Sequence, residues 1–323
     1  MIMSDYVVTS IKDGIMTILV NRPEVLNAID TQVVNMIGDA ITSGEENDEV
    51  EGMLLRGAGD KAFIAGGDIA WFLDNIRAKN WAAFEENMKG HKVIRGKMEQ
   101  CKKPLIAVVD GWALGGGCEL ALASRAMIVT DKAKFGLPES TLGIIPGYGG
   151  MLRLNHQLGK EMAKFFAMTG TIFGPDDTEK LGLSHARANT EEEIYVAAKE
   201  LINNMPDKYR EREIPEDYHD QLVAFSDENI MKTIYGEPVE GIDNSKFVEK
   251  IHERSPSSIF TANRVIDEQS GKSIDEGIQI EIDAILKLFQ SEQAEYGIAA
   301  FVNKEKTDYY NDYWKEILEK GRQ

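Results

Sequence analysis

Apolar and polar positions along the chain change period several times, and each change predicts an element. YVVTSI (residues 6–11) and IMTILV (15–20) flank the turn KDG, a hairpin signature. After NRPEVLNAID, Val33, Ile37, Ala40 and Ile41 recur on one helical face, with Asp30 placed as the N-cap. The unbroken apolar runs GMLLRG (52–57) and PLIAVVDG (104–111) predict short buried strands. Between them GDKAFIAGGDI reads as a loop, and a long polar helix spans roughly Asn80 to Gln100. A helix from the triple glycine to about Ser124 follows, then the strand AMIVT (126–130), the loop KAKFGLPESTLGIIPGYGG and helices from about Gly149. Strands and helices in alternation with short connections give a layered α/β fold.

The pattern changes after residue 204. MPDKYREREIPEDYHD and YGEPVEGIDNS are rich in charge, proline and glycine, and FSDENIMKTIY between them predicts a short helix capped by Ser226. From Ser257 the chain is helical again, and Ile274, Ile278, Ile282, Ile285 and Leu286 form a stripe, extended by Leu288 and Phe289, suited to core or subunit packing. The division is a core over 1–204, a helical insertion or linker over 205–254, and a helical C-terminal region over 255–323.

Charge and composition narrow the function. The net charge of -18, from 36 basic and 54 acidic residues, opposes nucleic-acid backbones and anionic membranes, so an anionic ligand must be held by local donors. No apolar run is long enough to span a bilayer, and MIMSDYVV lacks the basic and apolar segments of a secretory leader. Two cysteines, Cys101 and Cys118, stand outside any spaced motif, which predicts a reducing, cytoplasmic setting. The five histidines are scattered without ligand spacing, so no metal site is expected.

The candidate chemistry sits in GWALGGGCELALAS (111–124). Glycine is a poor helix former, and a carboxylate in an apolar run loses hydration, so Gly115–Gly117 and Glu119 need a reason. A helix of about 14 Å out and a strand of about 16 Å back cancel, which returns the loop carrying Glu139 to the end where Glu119 began. Two acids sharing one site resist ionising together; one takes a proton from water while the other delivers one to carbon. The alternative is that Glu119 is a satisfied buried acid and Glu139 caps the next segment. A second glycine turn, AFIAGGDI, supplies another exposed amide, and the N–H groups of Gly67 and Gly116 together would form an oxyanion hole. Neither turn is a phosphate cradle, because GxxxxGK[ST] is absent.

NRPEVLNAI, KAFIAGGDI, PLIAVVDGWALGGGCELALAS and AKFGLPESTLGIIPGYGGMLRL, in that order, resemble the crotonase (enoyl-CoA hydratase/isomerase) superfamily. The resemblance runs from about Tyr6 to Asn189 and resumes weakly between SPSSIFTANRVI and GIAAFVNKEK. It implies a spiral of ββα units with a helical C-terminal region that builds a homotrimer or homohexamer. It also implies an acyl-CoA substrate and no separate cofactor, CoA being part of the substrate. The thioester carbonyl would sit between Gly67 and Gly116, Glu119 would activate water, and Glu139 would exchange a proton with the α-carbon. The CoA path would run along Ala65, Gly67, Asp68, Ile69 and Ala70, with adenine near Val25 and Leu26 and Lys304 reaching a neighbouring subunit's CoA phosphate. The implied reaction is hydration of a 2-enoyl-CoA. The segment 205–254 instead resembles 3-hydroxyisobutyryl-CoA hydrolases, which usually lack the counterpart of Glu119; isomerisation and a non-catalytic acyl-CoA-binding role are the other readings. Met151, Leu152 and Arg153 stand where hydratases usually carry Thr-Gln-Arg, and Tyr148 is bulky where small residues are common.

Overall fold

The hairpin forms as the alternation predicts. β1 (Val7–Lys12) and β2 (Ile15–Val20) pair antiparallel, with Thr9 opposite Ile18. The computed structural model describes residues 6–207 and 212–321. The first five residues of the stretch searched for a leader, residues 208–211 of the charged segment, and residues 322–323 lie outside the described residues. The chain packs as two units, the first comprising residues 1–68, 86–136 and 172–212, the second 69–85, 137–171 and 213–323.

Among the described residues the first unit holds every strand. β2 continues in parallel to β3 (Gly52–Gly57), β5 (Leu105–Val109), β7 (Ala126–Val129) and β9 (Ala186–Arg187), giving a six-stranded sheet of order β1-β2-β3-β5-β7-β9. β5 and β7 are buried at every residue, as strands covered on both faces must be. On one face Ile15, Leu54, Ile106, Val108 and Ile128 pack on Ile194 and Ala198 of the helix Glu191–Asn203. Each such aliphatic side chain contributes about 1.5–3 kcal/mol by leaving water. Thr190 and Glu193 start that helix with a capping box, their side chains exchanging hydrogen bonds with each other's backbone N–H at 3.2 and 3.0 Å. On the helix Thr31–Glu46, Asp30 caps as predicted, its carboxylate accepting the Val33 N–H at 2.8 Å.

Three segments without a predicted strand form a second, parallel sheet: β4 (Ala62–Ile64), β6 (Trp112–Leu114) and β8 (Lys134–Gly136), in the order β4-β6-β8. At three residues each they are too short to show a period of two. The two sheets reveal a repeating plan. β3 leads to β4, β5 to β6 and β7 to β8, the first strand of each pair joining the large sheet and the second the small one.

The second unit is helical. It contains Ile69–Arg77, a helix that falls between the expected loop and the expected polar helix. The polar helix itself is broken into Trp81–Met88, Gly90–Val93 and a π-helical turn Ile94–Glu99, the last two in the first unit, with Gly90 and Gly96 weakening a continuous helix. Phe72, Phe84 and Phe289 form an aromatic contact in the second unit, the last two stacked at 4.0 Å between centroids. In segment 205–254 the helices are His219–Ala224, Ile230–Tyr235 and Ser245–His252. Ser226 does not cap the second of these: its hydroxyl donates back to the Val223 carbonyl at 2.9 Å, and the helix begins four residues later. The fully buried Lys164 is neutralised by Asp267 at 2.7 Å and Asp227 at 3.6 Å, tying that segment to the helices Lys160–Thr169 and Pro256–Gln269. The predicted stripe is buried at Ile278, Ile282, Ile285 and Leu288 of Ile274–Leu288. Among the described residues no helix is long and apolar enough to cross a membrane.

Candidate active site

The three glycines of GWALGGGCELALAS do different work. Gly115 ends β6 with φ 50° and ψ -121°, a conformation closed to residues with a side chain. Its N–H donates to the Gly136 carbonyl at 2.9 Å, at the end of β8, and its own carbonyl accepts the Glu119 N–H at 2.9 Å. Gly117 lies against β4 so closely that a Cβ would fall 1.9 Å from the Ile64 carbonyl oxygen. Gly116, between them, opens the helix Gly116–Ala123, whose first amides have no partner within the helix. Glu119 stands in that first turn, 2% exposed, where the positive end of the helix dipole favours an anion.

The second glycine turn is held from outside. Ile29 donates its N–H to the Gly66 carbonyl at 2.9 Å and forms a parallel bridge with Gly67. In a parallel bridge the flanking peptide groups bond inward, so the N–H of Gly67 itself points away from Ile29. The Ala65 N–H donates to the Leu26 carbonyl at 3.1 Å. The Ile29 side chain also reaches Gly116, at 3.0 Å from where a Cβ would stand. The first unit therefore brings Leu26, Ala65, Gly67 and Gly116 around one segment, residues 22–29, with Glu119 one helical turn on.

Beside that segment lies a cleft of about 200 Å³, lined by Pro23, Leu26, Asn27, Asp60, Lys61 and Ala62 among others. Val25 and Leu26 are 43% and 40% exposed, unusual for apolar residues next to a buried core. Sequence reasoning did not single out Asn27, Ile29 or Lys61 here, although all three lie inside quoted motifs.

Ile69, Ala70, Glu139 and Lys304 belong to the second unit. Glu139 is buried in a 3-10 turn, Pro138–Leu142, rather than in an irregular loop. That turn is pinned on several sides. The Glu139 carbonyl accepts the Ile144 N–H at 3.3 Å, the Ser140 carbonyl the Ser255 N–H at 3.0 Å, and the Thr141 carbonyl the Tyr309 hydroxyl at 3.3 Å. Beyond it the Tyr148–Gly149 turn is fixed by two buried side chains: Arg153 donates to the Tyr148 carbonyl, and Glu281 accepts the Gly149 N–H at 2.6 Å. Asp68 is half-buried at the end of the glycine turn, and Ala70 is exposed in the helix Ile69–Arg77. Lys304 is exposed in a left-handed conformation just after the helix Glu292–Asn303.

The repeating plan gives these positions a common logic. Gly67 follows the end of β4 by three residues, Gly116 follows β6 by two, and Glu139 follows β8 by three. Gly67 and Gly116 lie beyond the C-terminal ends of two neighbouring parallel strands, where parallel sheets commonly place ligands, and the chain runs on from the end of the third toward Glu139. Among the described residues no cluster of three metal-ligating side chains occurs.

The sequence pattern of the enoyl-CoA hydratase/isomerase family matches residues 15–316. The chain is 40% identical over 181 residues to a crotonyl-CoA hydratase of Syntrophomonas wolfei, covering 56% of this chain and 68% of the relative. It is 36% identical over 197 residues to a short-chain-enoyl-CoA hydratase of Clostridium acetobutylicum, covering 60% of this chain and 73% of the relative. In fold it is similar to a carnitinyl-CoA dehydratase structure from Mycobacterium thermoresistibile, with a TM-score of 0.79 over 98% of this chain and 96% of that one at 20% identity.

Proposed function

The chain belongs to the enoyl-CoA hydratase/isomerase family, and from that membership we propose that it adds water reversibly across the double bond of a 2-enoyl-CoA, giving a 3-hydroxyacyl-CoA. The thioester oxygen is held by the N–H groups of Gly67 and Gly116. As hydroxide equivalent adds to C3, the electron pair moves through C2 onto that oxygen, and the two amides stabilise the enolate. Glu119 holds the water and takes its proton. Glu139 delivers a proton to C2, and the carbonyl re-forms. The acid–base roles ask for about 10²–10⁴-fold each.

One observation carries this reading: two glycine turns and an acidic turn follow three adjacent strand ends of one small parallel sheet. Chain connectivity supports the place of Glu139, since Gly136, bonded to Gly115, lies three residues before it, at most about 11 Å of extended backbone. The cleft at Leu26 and Lys61 suits part of the CoA moiety, with Ala65, Asp68, Ile69 and Ala70 along its path and Val25 beside the adenine. Thioester hydrolysis is not favoured, because the relatives with 36–40% identity are named hydratases. The protein is read as a cytoplasmic homotrimer or homohexamer. Cys101 and Cys118, neither of them in a disulfide, support the compartment, and exposed Phe301, Val302 and Tyr310 near Lys304 support a neighbouring subunit there.

The test is loss of the ultraviolet absorbance of the conjugated thioester when protein is added to crotonyl-CoA, with free thiol followed in parallel. Hydration consumes absorbance and releases no thiol. Prompt thiol release without hydrated product would replace this reading with hydrolysis.

A further inference from the structure

We propose that Asn27 is a positioning residue that fixes the Gly67 amide in the oxyanion hole; the proposal rests on the reading of Gly67 and Gly116 as donors to a thioester oxygen. Asn27 is wholly buried, with φ 58°, and Leu26 before it has φ 54°. Two consecutive residues with side chains in the left-handed region need strong support from their surroundings. The Asn27 carboxamide supplies it with three hydrogen bonds. Its oxygen accepts the Arg22 N–H at 3.0 Å, closing the turn, and its NH₂ donates to the Ala58 carbonyl at 2.9 Å and the Ala62 carbonyl at 2.8 Å. Both amide hydrogens and the oxygen are thereby used.

The Ala62 contact connects this turn to the chemistry. Among the described residues β4 is an edge strand, paired in its sheet with β6 alone, and its register is interrupted between Ala62 and Ile64. Its outer edge is held by residues 26–29: Asn27 at Ala62, the Leu26 carbonyl at Ala65, and the Ile29 N–H at Gly66. These contacts act as an irregular fourth strand, and the residue after the last of them is Gly67. A small tilt of β4 would move the Gly67 N–H more than that of Gly116, whose place is set by the helix it opens and by the Gly115 N–H on the Gly136 carbonyl of β8. Gly57 explains why the site admits no slack. A Cβ there would lie 2.7 Å from the Asn27 amide nitrogen and 2.0 Å from the Phe63 carbonyl oxygen.

The experiment compares wild type with Asn27→Asp, which keeps the shape but turns an oxygen toward two carbonyls. Ile194→Ala, a cavity in the core on the large sheet, controls for lost stability. Crotonyl-CoA hydration gives kcat and KM. Infrared difference spectra of bound butyryl-CoA carrying a ¹³C-labelled carbonyl report the hydrogen bonds to the thioester oxygen. Asn27→Asp is expected to lower kcat by about 10–100-fold, short of the roughly 10²–10³-fold for a missing donor, with KM within about threefold. It should also lose part of the downshift of the carbonyl stretch, while Ile194→Ala keeps kcat and downshift. Wild-type kcat and downshift in a folded Asn27→Asp protein would overturn the proposal. Should that variant not fold, Asn27→Ser, which retains one hydroxyl donor, decides by the same two readouts. Butyryl-CoA has no double bond to hydrate, so a wild type that binds it with a downshift but leaves crotonyl-CoA intact would sink hydration and leave the role of Asn27 to the spectrum. A wild type with no downshift would sink the proposal.

Discussion

The two glycine turns present backbone amides beside the same residue, Ile29, yet they are held in opposite ways. The turn at Gly115–Gly117 is held by its own neighbours in sequence and in its sheet: β6 leads in, the helix Gly116–Ala123 leads out, and Gly136 of the adjacent strand accepts the Gly115 N–H. The turn at Ala65–Gly67 ends a three-residue edge strand and is held by a segment some forty positions earlier in the chain. A donor at a helix N-terminus comes with the helix. A donor beyond an edge strand needs a second piece of chain, and its accuracy is only as good as that piece.

The sharpest way to break the comparison is Gly117→Ala. If the first turn is held by direct contact of the helix with β4, the new methyl meets the Ile64 carbonyl at 1.9 Å, a backbone atom that cannot step aside. Activity should be abolished and stability should fall by about 3 kcal/mol or more, beyond the ordinary cost of overpacking. Thermal unfolding and crotonyl-CoA turnover check both. A stable, active Gly117→Ala protein would show that the helix does not rest on β4.

Next in size are the acids that follow the strand ends. Glu119→Gln and Glu139→Gln should each lower kcat by about 10²–10⁴-fold with little change in fold, because each replacement keeps the shape and removes a group that takes or gives the proton. Stopped-flow turnover with crotonyl-CoA measures it. Loss on Glu139→Gln with full hydration in Glu119→Gln would remove the water-activating role from the first turn and leave it only a donor.

Gly116→Ala separates the turns at a smaller scale. Its Cβ would come 3.0 Å from Ile29 Cδ1, the far end of a side chain that can yield by a few tenths of an ångström. The N–H is retained, so kcat should fall by no more than about tenfold and stability by about 1 kcal/mol or less. A loss as deep as that of Gly117→Ala would mean that Ile29 is rigidly clamped between both turns.

What could be read from the chain follows the same division. The hairpin, the Asp30 cap, the buried runs at 52–57 and 104–111, and the helix after the triple glycine all announce themselves within a few neighbouring residues. So do Gly67, Gly116, Glu119 and Glu139 as candidates, because glycine and buried acid are costly enough to stand out. The small sheet does not. Ala62–Ile64, Trp112–Leu114 and Lys134–Gly136 are each shorter than two periods of alternation, and their partners are remote. Ser226 failed as a cap because the helix Ile230–Tyr235 begins four residues beyond it, with Asn229 at the N-cap position. Asn27 was invisible because its three partners, Arg22, Ala58 and Ala62, come together only once β3 and β4 are placed.

The smallest expected effect lies on the opposite side of the large sheet, where neither turn should feel it. Arg56 makes two hydrogen bonds of 2.7 Å to Glu191 at the start of the helix Glu191–Asn203, and this holds the Glu191 carboxyl below its ordinary value. A carboxyl depressed on folding adds stability that is present above its unfolded pKa of about 4.3 and is lost as pH falls through the folded value. With the Glu191 side chain 67% exposed, solvent screening keeps that contribution to about 0.5 kcal/mol. Urea unfolding of Glu191→Gln should therefore run slightly below wild type at pH 7 and converge with it as pH drops from about 4.3 downward, while crotonyl-CoA turnover at neutral pH stays at the wild-type rate. A fall in turnover with that substitution would show that the turns are governed by the far face of the sheet as well as by the contacts at Ile29 and Ile64.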